Sequence, residues 1–300
     1  MKYCLYEYKN SDNLGDEIQS IAARQFLPSV DFFVDRDNWD KTKINEPSRL
    51  IANGWYTHNN KEWLPKNKFI TPLFISFHIT PKSRELFSNK QTLAFLEKNG
   101  PIGCRDFATK EFLESHGVSA YFSGCLTLTL KRKTNIARTN NNILVDIPEY
   151  IAREMPFELN QNVTKINQYF DPTLKFLLRV ENKIGLPLSR GLAFTRAQRL
   201  LDRYCAANSV ITQRLHCALP CTAMEVPVVF LVPHYKDARY KGLITLTNHL
   251  SYEEFLDAPE KITLLNNKNS EGSEVLRNKL TKICENFVAD GTRPECKDLA

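Results

Sequence analysis

The sequence predicts an α/β protein of two doubly wound halves facing a cleft, and three observations lead there. Short apolar strands alternate with amphipathic helices from the first residues onward. A polar break, Lys131-Arg-Lys-Thr-Asn-Ile-Ala-Arg-Thr-Asn-Asn-Asn142, interrupts the pattern, and a second alternating series follows it. At 300 residues the chain has room for two ordinary domains.

Tyr3 to Tyr8 reads as the first strand. Asn13-Leu14-Gly15-Asp16 is the loop after it, and a helix runs on to Leu27 with apolar residues at 18, 21, 22, 26 and 27 on one face. Pro28 closes the unit. Further strands are expected at 31–34, 49–53 and 73–77. A helix at 92–98 ends on Asn99-Gly100-Pro101, and Ile102-Gly-Cys104 is a short strand. Asp106 can cap a helix that stops at Gly117. Ala120-Tyr-Phe122 and Leu126–Leu130 complete the first half.

In the second half, Ile143-Leu-Val-Asp146 opens the series. Thr195–Ala207 is a helix with Leu200, Leu201 and Tyr204 inward. Ser209–Thr212 is a strand, Cys217–Met224 a helix, and Pro227–Val232 a buried parallel strand. Ser273–Phe287 is a terminal amphipathic helix. The expected division is therefore 1–131, a linker at 132–142, 143–272, and a terminal helix and tail at 273–300.

Hydrophobic residues at 42% and charged residues at 25% exclude a disordered or low-complexity chain. Forty Lys and Arg against 34 Asp and Glu leave +6, a mild excess suited to anionic small molecules or an anionic surface and too diffuse for a nucleic-acid binder. The first residues carry no signal-peptide pattern. The longest apolar run, Val226–Val232, is far short of the ~20 residues that span a bilayer. A cytoplasmic protein is the expectation. The eight cysteines are scattered without Cys-x-x-Cys spacing, so buried thiols are expected rather than a metal site, although Cys217 and Cys221 stand one helical turn apart beside His216.

Several chemistries lose their motifs. There is no G-x-G-x-x-G, P-loop, H-E-x-x-H or G-x-S-x-G. Asp35-Arg36-Asp37 has the D-x-D form that some sugar transferases use to hold a metal-bound nucleotide, but three-residue acidic patterns arise readily by chance and a solvated turn is the simpler expectation. The richer constellation is Thr212-Gln-Arg214-Leu215-His216-Cys217, which follows a strand and opens a helix. Ligands of open α/β sheets bind at strand carboxyl ends, and helix N-termini favour anions there. Arg214 offers a planar fork for phosphate or carboxylate, and His216 a proton donor or acceptor near neutral pH. An ion-paired Arg214 and a capping His216 would be the purely structural alternative.

That region, Ile211-Thr-Gln-Arg-Leu-His-Cys-Ala-Leu-Pro220, resembles the signature of the polysaccharide pyruvyl transferase family. Asn13-Leu14-Gly15-Asp16 resembles the family's amino-terminal N-x-G-D. Cys104-Arg105-Asp106 and the Ser123-Gly-Cys-Leu-Thr127 turn resemble its internal segment, and the resemblance covers roughly residues 1–245. It implies two Rossmann-like domains in a GT-B-like arrangement. It also implies transfer of pyruvate from phosphoenolpyruvate to hydroxyls of a sugar, giving a ketal, with no cofactor and no metal. The site residues it implies are Arg105, Arg214, Leu215 and His216, with a basic residue downstream. Lys236 has a plausible spacing for that residue, with Arg239 and Lys241 as alternatives. The resemblance allows Asp16 to contact or deprotonate an acceptor hydroxyl, and Asn13 to bind substrate; helix capping and turn formation are the bland readings of both.

Phosphoenolpyruvate carries a phosphate and a carboxylate on one small frame, so two or three cations are expected around it. His216 is then the residue suited to move protons. The partners implied are phosphoenolpyruvate and a sugar or lipid-linked glycan, the latter making peripheral membrane contact natural. The oligomeric state is not legible. Two other readings stay open: a glycosyltransferase of similar shape using a nucleotide sugar, and a non-catalytic anion- or glycan-binding module. His78 is expected to be a hydrogen-bonded interior histidine. His58 is placed in a polar turn, and Trp39, Trp55 and Trp63 in ordinary packing.

Overall fold

The structure is a computed structural model that describes residues 1–9, 11–57, 63–184, 190–266 and 273–295; His58 and Cys296 lie outside the described residues. The chain forms two parallel α/β units, and each wraps a sheet with helices.

The first unit holds six strands: β1 (Lys2–Glu7), β2 (Phe32–Asp35), β3 (Ser48–Tyr56), β4 (Ile70–Ile79), β5 (Ile102–Cys104) and β6 (Ala120–Phe122). They lie in the order β2-β1-β3-β4-β5-β6, every neighbouring pair parallel. The helices are α1 (Leu14–Arg24), α2 (Arg84–Phe87), α3 (Lys90–Lys98) and α4 (Phe107–Ser115). Asn89 and Asp106 cap α3 and α4, each accepting the backbone N–H three residues on at 2.9 Å. β3 and β4 run longer than the sequence predicts, because both are buried along nearly their whole length and lack the alternation that marks a strand's ends. Leu126–Leu130, the segment that completes the first half, begins with a 3₁₀ turn at Leu126–Thr129.

The core of this unit is aromatic. Trp39, Trp63, Phe74, Phe77, Phe87 and Tyr56 are all buried and meet mostly edge to face or tilted, Trp39 and Phe74 being stacked, with Tyr56 and Phe77 centroids 4.5 Å apart and Trp63 and Phe87 4.8 Å apart. Trp39 and Trp63 therefore pack as expected.

The second unit holds β7 (Asn142–Val145), β8 (Val163–Ile166), β9 (Ser209–Thr212), β10 (Val228–Val232) and β11 (His249–Ser251) in the order β11-β10-β9-β7-β8, again all parallel. Its helices are α5 (Glu149–Ala152), α6 (Phe157–Asn160), α7 (Pro172–Ile184), α8 (Arg190–Ala206), α9 (Leu215–Ala223), α10 (Tyr252–Asp257) and α11 (Lys261–Asn266). α12 (Ser273–Asp290) follows. Both sheets share one winding: the second strand lies outside the first, and the later strands lie on its other side. That places a topological switch point between β1 and β3 and another between β7 and β9.

The units depart from the expected division at three places. Asp12–Ile18 groups with the second unit, because Leu14 N donates to Gln168 O and Phe170 N to Asp12 O, both at 2.7 Å. Residues 127–142 also belong to the second unit, where Arg132 donates to Cys205 O at 3.0 Å and Thr139 N to Ala206 O at 2.8 Å. Leu276–Ala300 returns to the first unit, where Arg49 donates to Val288 O at 2.6 Å. Among the described residues no helix is long and apolar enough to cross a membrane. All described cysteines are free and buried.

One expectation is overturned. Asp35-Arg36-Asp37 is not a solvated turn: the three residues are 1%, 1% and 4% exposed. Arg36 donates from Nε and Nη2 to the Asp37 carboxylate at 3.1 Å, and its guanidinium lies over Trp55 at 4.4 Å and Tyr8 at 5.1 Å. Thr57 donates to Asp37 as well. A charged turn can be buried when its cation and anion satisfy each other and two rings cover the guanidinium.

Candidate active site

The second unit's switch point is where chemistry gathers. β7 and β9 run side by side, so the residues just past their carboxyl ends, Asp146 and Gln213-Arg214, lie together. Asp146 has φ +54°, a left-handed conformation that Asp tolerates better than most residues, and it turns the chain sharply off β7. Its Oδ2 accepts from Arg214 Nε at 2.8 Å and from Gln168 N at 3.2 Å, while Gln213 Nε2 donates to its carbonyl.

Arg214 is thereby aimed. Nη2 donates to the Tyr169 hydroxyl at 3.0 Å, and the guanidinium stacks 4.8 Å from the Tyr169 ring centroid. Nη1 has no protein partner among the described residues, and the side chain is 28% exposed. Burial pulls the guanidinium down, but Asp146 and Tyr169 outweigh it and hold it above its ordinary value. The result is a fixed, permanently charged fork with a free edge.

His216 stands one residue past the start of α9, with backbone φ −82° and ψ 21° that break the helix there, so α9 turns tightly out of β9. Its carbonyl accepts from Gln168 Nε2 at 2.9 Å. Gly15 explains why the N-x-G-D loop needs a glycine. A Cβ there would stand 3.2 Å from His216 Cβ and 3.1 Å from Asn13 Oδ1.

Asn13, not Asp16, precedes α1, and its Oδ1 accepts from Gly15 N at 2.9 Å. Asp16 is buried in the first turn of α1. Leu215 is the half-buried first residue of α9. Lys236 is exposed on the loop after β10, the strand beside β9. Of its alternatives, Arg239 chelates Asp237 from Nε and Nη2 at 2.9 and 2.5 Å, and Lys241 is exposed.

The structure therefore brings Asn13, Gly15, Arg214 and His216 together in one unit. Arg105 belongs to the other unit. It is buried past the carboxyl end of β5, with its N donating to Phe77 O at 2.9 Å. Beside it His78, interior as expected, meets Asp106 through Nδ1 at 2.5 Å. Burial pushes the Asp106 carboxyl up, but the bond and charge of His78, with Arg105 and the Thr109 N–H, leave it below its ordinary value.

Three contributors were missed in the sequence: Asp146, Gln168 and Tyr169. Asp146 did carry a signal, a carboxylate ending a strand. Gln168 and Tyr169 follow β8, an edge strand whose residues are half-buried or exposed, so its hydrophobic pattern is faint. Among the described residues no group of three or more His, Cys, Asp or Glu could hold a metal ion.

A parallel α/β unit with an arginine fork at its switch point has the form of a domain that can hold an anionic ligand. Residues 13–235 match the model of the polysaccharide pyruvyl transferase family, and the chain belongs to that family. No curated protein matches it. Among solved structures it is similar to a functionally uncharacterized protein from Klebsiella pneumoniae, at 15% identity over 80% of this chain and 87% of that one, TM-score 0.44. It is also similar to a protein from Listeria monocytogenes described as a UDP-N-acetylglucosamine 2-epimerase, at 13% identity over 94% of this chain and 79% of that one, TM-score 0.41.

Proposed function

We propose that the protein transfers pyruvate from phosphoenolpyruvate to two hydroxyls of a glycan, forming a cyclic ketal. Arg214 is the observation that supports this most. It is a cation held by Asp146 and Tyr169, with Nη1 open to an anion at the start of α9. In this reading Arg214 takes the donor's phosphate or carboxylate, Lys236 adds charge from the neighbouring loop, and His216 moves protons. Arg105 enters through the family resemblance.

The chemistry balances without a cofactor. A proton adds to the methylene carbon of the enol, and C2 becomes the electrophile. One acceptor hydroxyl attacks C2 and loses its proton. The bond from C2 to the phosphate oxygen breaks and phosphate leaves, after which a second hydroxyl closes on C2 and loses its proton. Of the two protons lost, one balances the proton delivered to carbon and the other is taken by phosphate. A histidine that changes charge near neutral pH can serve either transfer.

The test is a thermal shift with phosphoenolpyruvate against nucleotide sugars and free phosphate, followed by phosphate release with candidate glycans. Selective stabilisation by phosphoenolpyruvate is expected, and His216→Ala should lower turnover about 100-fold or more with the melting temperature kept. Stabilisation by a nucleotide sugar alone sinks the reading. The D-x-D pattern offers that rival no support, since its carboxylates are buried around Arg36.

A further inference from the structure

Beside Tyr169 the second unit contains a cavity of about 380 Å³ that the proposed donor chemistry does not use. One wall is α8, from which Arg196, Arg199 and Arg203 line the cavity. Their spacing of three and four residues puts all three on one helix face. The opposite face of α8 is anchored by buried Ala193, Ala197, Leu201 and Tyr204, so the arginines ride on a fixed support.

The charges are largely uncompensated. Arg196 pairs with Asp171 at 3.0 Å, whereas Arg199 and Arg203 have no ion pair among the described residues. Leu14, Leu174 and Leu200 give the cavity an apolar side, and the Tyr169 ring forms part of its rim. Tyr169 is also the residue that receives Arg214 Nη2, so the cavity and the anion fork share a wall. Its volume falls in the range of small-molecule sites.

We propose that this cavity binds a diphosphate ester, with Arg199 and Arg203 as its phosphate ligands and Tyr169 and the leucines receiving the organic group it carries. Two guanidinium forks one helical turn apart, about 6 Å along the axis, suit two adjacent phosphoryl groups; a lone carboxylate would use only one. Resting on the reading above, the ester is the acceptor glycan's activated form, held where its sugar can approach a donor on Arg214. The diphosphate can come from a nucleotide or from an isoprenoid lipid, and the cavity's chemistry serves either.

The experiment is calorimetric titration of the full chain with inorganic pyrophosphate, using wild type, Arg199→Ala, Arg203→Ala, the double variant and the double lysine variant. Both arginines are exposed, so folding should survive, and melting curves verify it. Each single change should weaken binding about tenfold and the pair about 100-fold, with the lysine variant between, because a point charge keeps attraction but loses the fork. Equal binding by wild type and double variant, or no binding by wild type, overturns the proposal. So does competition between pyrophosphate and phosphoenolpyruvate, which would make the cavity part of the donor site.

UDP-glucose and farnesyl diphosphate then separate the sources: the ester whose binding falls in the double variant names its class, and a fall in neither overturns the site. Failure of phosphoenolpyruvate to bind or turn over, with the arginine dependence of pyrophosphate intact, removes the pyruvyl reading and leaves the cavity standing.

Discussion

Each unit carries an arginine just past a strand's carboxyl end, paired with an aspartate and laid over an aromatic ring. In the first unit Arg36 sits on Asp37, Trp55 and Tyr8 with its side chain 1% exposed. In the second, Arg214 sits on Asp146 and Tyr169 with its side chain 28% exposed. The components are alike and the solvent access is not. Sealed from water, a matched ion pair serves packing, and its main energetic property is the penalty for losing one partner. Left with an open edge, the same fork keeps an unsatisfied donor for a ligand. Accessibility, more than residue type, separates the sealed arginine from the one that can take a ligand.

The largest expected effect tests the sealed pair. Asp37→Ala leaves Arg36 buried without its carboxylate and should cost about 3–5 kcal/mol of stability. Denaturant unfolding measures it, and a loss under about 1 kcal/mol would show that the site hydrates easily.

Next comes the open pair. On the proposed function, Arg214→Ala should lower kcat/KM for phosphoenolpyruvate by about 100-fold, equal to about 2.7 kcal/mol. The stability change should stay near 1 kcal/mol, the scale of partly exposed pairs. A variant that unfolds but, when folded, turns over normally would reverse the comparison.

A third test uses acid. The folded Asp106 carboxyl is held below its ordinary value of 3.8, so its contribution is complete above the unfolded pKa and disappears as pH falls through the folded one. Melting temperatures from pH 6 down to pH 2.5 should drop less steeply for Asp106→Asn than for wild type. Parallel curves would remove Asp106 from the acid response.

The smallest effect concerns Asp35. Burial pushes its carboxyl up, countered by the Asp37 N–H, so the folded state disfavours its charge. Asp35→Asn keeps the acceptor for that N–H at 3.0 Å. It should be neutral or stabilising by up to about 1 kcal/mol at pH 7. That advantage should vanish below the unfolded carboxylate pKa. Destabilisation comparable to that of Asp37→Ala would mean that Asp35 shares in holding Arg36.

Legibility followed hydrophobic contrast. β1, β7, β9 and β10 could be placed from their apolar runs, and Asp106 could be read as a cap because Thr109 N lies three residues on. The half-exposed edge strand β8 could not, and with it went Gln168, whose amide donates to both Tyr204 and the His216 carbonyl at 3.1 and 2.9 Å. No local pattern announces a glutamine that works through residues 36 and 48 positions away.

By itself, the amino-acid order determined the parallel α/β class, the alternation that repeats after the polar break, and the Arg214–His216 turn at a strand's end. These are local consequences of periodicity, capping and turn chemistry, which act over a few residues. Only the tertiary structure decided that residues 12–18 belong with the second unit, that Arg36 is sealed while Arg214 is open, and that three arginines of α8 border a cavity. Each of those depends on which distant segments exclude water from a side chain, and burial is a property of the packed whole.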